Sequence, residues 1–573
     1  MTVVMDRREQ QIAAPRQLES LPPHLMVRRD PIVRLARAPE VSSEEVDDFH
    51  LLQARQLTER NQSSPAAWAR LAQAELASGN QEAAKGAALT ALKRMEVVDG
   101  GPALASAIVL VACGKAEDAE SALGHLEVGV KNNSPAPLRT FRATLAAQRG
   151  DCRQALDLVS GVDTPEGWSL QGWIKLQQHE YANAINFYRR ALRDGSPDPE
   201  VLTNIGYAHA ALGQRERAIR DTQYALSLRP ANQSRVGLNL VAYYCAEGKF
   251  DAAIKTVRVL QENAPRDLDL WFTEADVNLS MGKPDQALRV LRRIRTSLWA
   301  HLSELQQAEL TGNLAFLGWM VGKMSKRQAA AEILQELRKV DFSTPRLVEI
   351  LPPLLDRFSD AKALREVLVS TLRVNPDSQL RFLDVNLAVL ERRFNEATEL
   401  SVAWVEDEPL NSAAAVAATY LLADVEGDLE AASDLGLMAL RRMPAAKALA
   451  NNVAYTLALS GRAREASEIV PEDKSPQSAA TAGLVALCLD DRDRALECYR
   501  RALDRAAAPN DPDLKALVVL NTTMAVQRFA DDSFGDELGL PELVFSDAWS
   551  DQPRFEIAFE KLARMGIEPP RPS

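Results

Sequence analysis

The chain has 573 residues, with 67 Lys and Arg against 79 Asp and Glu, a formal net charge of −12. That balance disfavours nucleic acid as a ligand, because clustered cations supply most of the affinity for a phosphate backbone. Hydrophobic residues make up 46% and charged residues 25%, ordinary for a folded protein, and no stretch reaches the 18 or so apolar residues of a membrane span.

The first segment, residues 1–41, is interrupted by prolines and carries Arg7, Arg8, Arg28, Arg29, Arg34 and Arg37. It is expected to be a disordered or peripherally docked arm. The sequence turns charged at Asp6 with no apolar segment behind it, so no secretory signal is expected and the expected compartment is the cytoplasm. Ser42 with Glu45 forms a capping-box signature for a helix running to about residue 60.

From residue 65 onward one phrase recurs. Gly213-Gln-Arg-Glu-Arg-Ala218 has counterparts in Gly248-Lys-Phe-Asp-Ala-Ala253, Gly282-Lys-Pro-Asp-Gln-Ala287 and Gly461-Arg-Ala-Arg-Glu-Ala466. The anchor alanine falls at Ala84, Ala119, Ala155, Ala184, Ala218, Ala253 and Ala287, then at Ala330, Ala363, Ala397, Ala432, Ala466 and Ala495. Most steps are 33–36 residues; two are 29 and one is 43. A period near 34 suits a helix–turn–helix unit. Glycine at the first turn admits a left-handed backbone, the alanine lets two helix axes approach closely, and Pro230, Pro265, Pro409 and Pro444 stop the second helix.

These residues resemble the tetratricopeptide repeat family, of bacterial type. Unit 199–232 supplies Leu202, Ile205, Gly206, His209, Ala218, Ala225 and Pro230 at the family's positions. Unit 65–98 supplies Trp68, Leu71, Ala72, Ala84 and Ala91, and unit 476–509 supplies Ala482, Gly483, Ala495, Tyr499 and Ala502. The resemblance covers roughly residues 65–508. It implies an all-α, right-handed superhelical solenoid of about 13 helix pairs, each repeat stacking on its neighbours.

The long step predicts an irregular helical hinge at 301–345. It divides the array into an N-terminal part with its capping helix, 42–300, and a C-terminal part, 346–508. The remainder, 509–573, is expected to be a helical cap. It contains a helix near 512–529, an acidic loop at Asp531–Glu537 and an amphipathic helix near 553–565. This region holds 12 acidic and 6 basic side chains.

The sequence shows no chemistry. Its six histidines do not pair with Cys, Asp or Glu at metal-ligand spacing. Gly-rich phosphate loops and a nucleophile elbow are missing. Cys113, Cys152, Cys245, Cys488 and Cys498 are odd in number, dispersed and without a Cys-x-x-Cys pair, the pattern of reduced thiols. No catalytic residue, cofactor or metal is expected.

The resemblance implies instead that the first helix of each pair lines a concave face, at positions freed from packing. Trp173, Tyr207, Phe316, Asn386 and Tyr455 fall at position 9, Asn204, Asn239, Asn313 and Asn452 at position 6, and Phe272 and Phe382 at position 5. Asn can donate to and accept from a peptide backbone, and aromatics are typical interface anchors. The competing reading of each residue is packing against the adjacent first helix. The expected function is a scaffold or adaptor holding one or more protein or peptide partners in this face. A ligand-responsive regulator that changes superhelix shape is the alternative, and an RNA-binding helical repeat a third. Partner identity, pathway and oligomeric state stay open.

Overall fold

The computed structural model describes residues 48–77, 80–95, 100–113, 136–148, 151–193, 197–230, 233–374, 380–472, 475–506, 512–530, 532–540 and 545–568. The arm 1–41, the Ser42–Glu45 signature and Ala119 lie outside them. Among the described residues every regular element is helical and none is a strand. The helices form successive pairs joined by tight turns. Inter-residue contacts divide the chain into two units, residues 32–212 with 216–231, and residues 213–215 with 232 onward.

In the first unit helices Pro65–Ala77 and Gln81–Lys93 form one pair, and Pro165–Gln177 and Tyr181–Ala191 another. The anchors Ala84, Ala155, Ala184 and Ala218 are completely buried. At Gly172 a methyl group would sit 2.9 Å from the Tyr188 ring, so the glycine sets how closely the pair closes. The 29-residue step from Ala155 to Ala184 reflects a second helix, Cys152–Val159, of only 8 residues. Side-chain caps from Asp151, Thr164 and Asp198 open the following helices, satisfying amide groups that the helix itself leaves unpaired.

The second unit continues the pattern, with Ala253, Ala287, Ala397, Ala432, Ala466 and Ala495 all completely buried. Ala363 departs from it: the neighbouring Leu364 takes the buried place and the alanine is only half-buried. The 43-residue step comes from a one-turn helix at Trp299–His301 and a first helix lengthened to 17 residues, Glu304–Met320. Ser303 and Ser325 form capping boxes with Gln306 and Gln328. A regular pair is expected to begin near 346. There the first helix is instead reduced to Pro345–Glu349 and a short turn at Pro352–Leu354, since Pro352 and Pro353 lack amide donors.

At the end, helix Pro512–Phe529 matches expectation. Residues Asp532–Leu538 form a short helix where an acidic loop is expected. Phe534 is completely buried, edge-on to Tyr499 with ring centroids 6.3 Å apart, and Arg492 pairs with Glu537 at 3.1 Å. The apolar anchor outweighs the local repulsion among carboxylates. The chain closes with helix Pro553–Arg564. Within this unit the turns after Gln233–Ala246 and Leu429–Arg442 meet, and Ala445 N donates to Ala246 O at 3.1 Å.

Among the described residues the turn inside several pairs is left-handed. Gly248, Gly282, Gly427 and Gly461 hold φ between 69° and 84°. Arg392 and Asp490 take the same place in their pairs, at φ 59° and 61°. A side chain there is strained. Replacing the exposed Asp490 with glycine is therefore expected to stabilise the protein by about 0.5–1 kcal/mol. Denaturant midpoints check this, and Asp490→Ala, which keeps the Cβ, is expected to give no gain.

Candidate functional site

A first helix is packed on one side by its own second helix and on two others by neighbouring first helices. This consumes most of the residues proposed for the concave face. Trp173, Asn204, Asn239, Phe272, Phe316, Phe382 and Asn386 are buried. Phe316 meets Trp319 at 5.6 Å, Phe382 meets Trp404 at 6.4 Å, and Arg346 lies 4.4 Å over the Phe272 ring. Asn386 Nδ2 donates to Phe382 O at 2.6 Å, a bond within its own helix. Tyr207, Asn313, Asn452 and Tyr455 are half-buried. Tyr207 packs edge-on to Tyr181, and Asn313 Nδ2 donates to Glu309 O at 2.8 Å. Burial falls on positions 5, 6 and 9 alike, and Tyr207, Asn313, Asn452 and Tyr455 are the candidates that keep partial exposure.

The structure brings Asn452 and Tyr455 together at a cavity of about 210 Å³ in the last repeats. Its walls come from helices Ser412–Leu421, Lys447–Leu459, Pro476–Cys488, Arg492–Ala506 and Pro512–Phe529, and the closing helix covers it with Arg554, Ala558 and Lys561. Asn452 Nδ2 reaches Val416 O at 3.3 Å, binding two adjacent first helices together.

The closing helix runs along the turns between first and second helices. Asp551 accepts from Ser359 N and Oγ at 2.9 and 2.6 Å. Glu556 pairs with Arg392 at 2.8 Å. Lys561 Nζ donates to Asp424 Oδ1 at 2.7 Å and to the Tyr455 hydroxyl. Arg564 donates to the Val425 carbonyl at 2.6 Å. Each advance of five residues along the closing segment meets the next repeat. Asp513 anchors its start, accepting from Trp549 Nε1 at 3.1 Å, Gln552 Nε2 at 2.9 Å and Arg554 Nη2 at 3.2 Å. Trp549 stacks on Phe555 at 4.6 Å, against Ala516, Leu520 and Met524.

Asp424 is presented by an unusual backbone. Residues Leu422–Glu426 form a π-helical turn ending at left-handed Gly427, and such bulges often serve function. The signal lies in the sequence. From N-cap to turn glycine the interval is 15 residues at Asp267–Gly282 but 16 at Asn411–Gly427. The extra residue has to be absorbed within the helix. Asn451, Gln477 and Tyr499 carry no comparable local signal, because the closing helix brings Arg554 and Lys561 to them only through the fold.

Burial pushes the hydroxyls of Tyr420, Tyr455 and Tyr499 well above their ordinary range, and the Asp424 carboxylate adds to this at Tyr420 and Tyr455. All three stay protonated at neutral pH. Lys561 is 9% exposed and Asp424 16%. Lys561→Met would leave the carboxylate enclosed without its counter-charge, at a cost of about 3 kcal/mol. The expected result is lost amide-exchange protection over residues 553–564, partly recovered in the Asp424→Asn/Lys561→Met double variant.

No family model matches the sequence. A stretch of 98 residues is 32% identical to the heat-shock protein cognate co-chaperone sgt12 of Aspergillus fumigatus, covering 16% of this chain and 29% of that protein. The match thus spans less than a third of the relative. Similar solved structures include the Cut9–Hcn1 hetero-tetramer of APC/C, at 14% identity and TM-score 0.46, covering 85% of this chain and 88% of that one. A tetratricopeptide repeat protein from Parabacteroides merdae matches at 18% identity and TM-score 0.35, over 44% and 98%. Yeast Tom70 matches at 17% identity and TM-score 0.28, over 70% and 88%. Among the described residues no helix is long and apolar enough to cross a membrane.

Proposed function

We propose that this chain is a non-enzymatic scaffold that holds protein segments along its repeat faces and so assembles a complex. One observation carries the reading: the closing segment already lies across successive repeats, with Asp551, Glu556 and Lys561 each meeting a different one and its apolar side on first helix Pro512–Phe529. The faces of these repeats therefore accept a helix in the groove-binding mode. The 98-residue similarity to a co-chaperone agrees with a protein-binding role. The net charge of −12 argues against nucleic acid. A bacterial origin and a cytoplasmic location belong to the same proposal.

Among the sequence-derived candidates, Tyr207 and Asn313 are half-buried and can change without opening the core. A Tyr207→Ala/Asn313→Ala variant is expected to keep the circular dichroism of the parent. It should lose at least one partner recovered from the native host by affinity capture and mass spectrometry. Recovery of every partner at parental yield would sink the assignment of this face.

A further inference from the structure

The cavity beneath the closing helix is more polar than stacking requires. Asn451 Oδ1, Gln477 Oε1 and Tyr499 Oη are enclosed and make no hydrogen bond within the protein. Tyr499 is 1% exposed, and the three come from three different helices. Buried polar groups are nearly always paired, so a cluster of unpaired ones needs a reason. Much of the remaining wall is apolar, including Ala423, Leu484, Leu517, Val518 and Ala558. Two cations line the cavity, Lys561 paired with Asp424 and Arg554 paired with Asp513 just outside the wall. An apolar chamber with a few convergent polar groups is the usual form of a small-molecule site.

We propose that this cavity binds a small zwitterion with an apolar side chain, the chemistry of a free apolar α-amino acid. Two amide oxygens call for donors, which an ammonium group supplies. Arg554 gives Nη2 to Asp513 and Nε to Gln552, and its remaining guanidinium donors suit a carboxylate. The apolar wall takes the side chain. The size fits as well: about 210 Å³ exceeds the roughly 150 Å³ that admits a benzene ring, leaving room for two polar ends. The tyrosine hydroxyls, held neutral by burial, add hydrogen bonds without adding negative charge. The lid is the closing helix itself, so occupancy and docking of residues 553–564 are coupled.

Isothermal titration of the full chain tests this with L-phenylalanine, 3-phenylpropanoate, 2-phenylethylamine and the dipeptide Ala-Phe. L-Phenylalanine is expected to bind below millimolar, and both single-headed analogues at least tenfold more weakly. Gln477→Leu, at a half-exposed position, is expected to weaken binding at least tenfold with an unchanged melting temperature. Ala558→Phe, which fills the chamber, is expected to abolish it; Ala448→Leu serves if that variant does not fold. The proposal falls if no probe binds, which would leave a hydrated cavity only. It also falls if the three single molecules bind alike, or if both variants bind as the parent does. Tighter binding of Ala-Phe than of L-phenylalanine would overturn the assignment to a free amino acid in favour of a chain terminus.

Discussion

The structure depends on the contact between two helices at one small residue. Where Ala84, Ala184, Ala253 or Ala466 is completely buried, the axes of a pair close until backbone approaches backbone. A larger side chain at that crossing would have to displace a helix. Because the contact recurs with each repeat, the core grows lengthwise and each pair needs only its neighbours. Gly483 shows the same limit from the partner side, since a methyl there would meet the Tyr499 ring at 2.9 Å.

This repetition made the fold legible. Small residues at fixed intervals are a local signal, and the short second helices Cys152–Val159 and Ala463–Ile469 follow from the two short steps. The long step marked Glu304–Met320 but gave no warning that the next first helix would break at Pro352 and Pro353. The non-glycine left-handed turns at Arg392 and Asp490 were hidden because the glycine that marks such turns elsewhere is missing.

The candidate site was legible only in fragments. Asn452 and Tyr455 were placed on the right helix because they share the repeat phase. Seven of the other candidates share that phase and are spent on packing, which a single repeat cannot reveal without its neighbours. The residues that complete the chamber come from afar: Lys561 and Asp424 are 137 positions apart. No periodicity couples them. What joins them is a polar ladder that only the folded closing segment creates, together with one extra residue inside a helix.

The bond between Ala445 N and Ala246 O has a mechanical meaning. A stack of repeats free along its whole length stretches like a soft spring, because each junction yields a little. Here two turns far apart in sequence are stitched backbone to backbone, so the repeats between them form a closed loop of fixed span. Drawing the two turns apart therefore costs this bond, about 1 kcal/mol, beyond the yielding of the junctions between them.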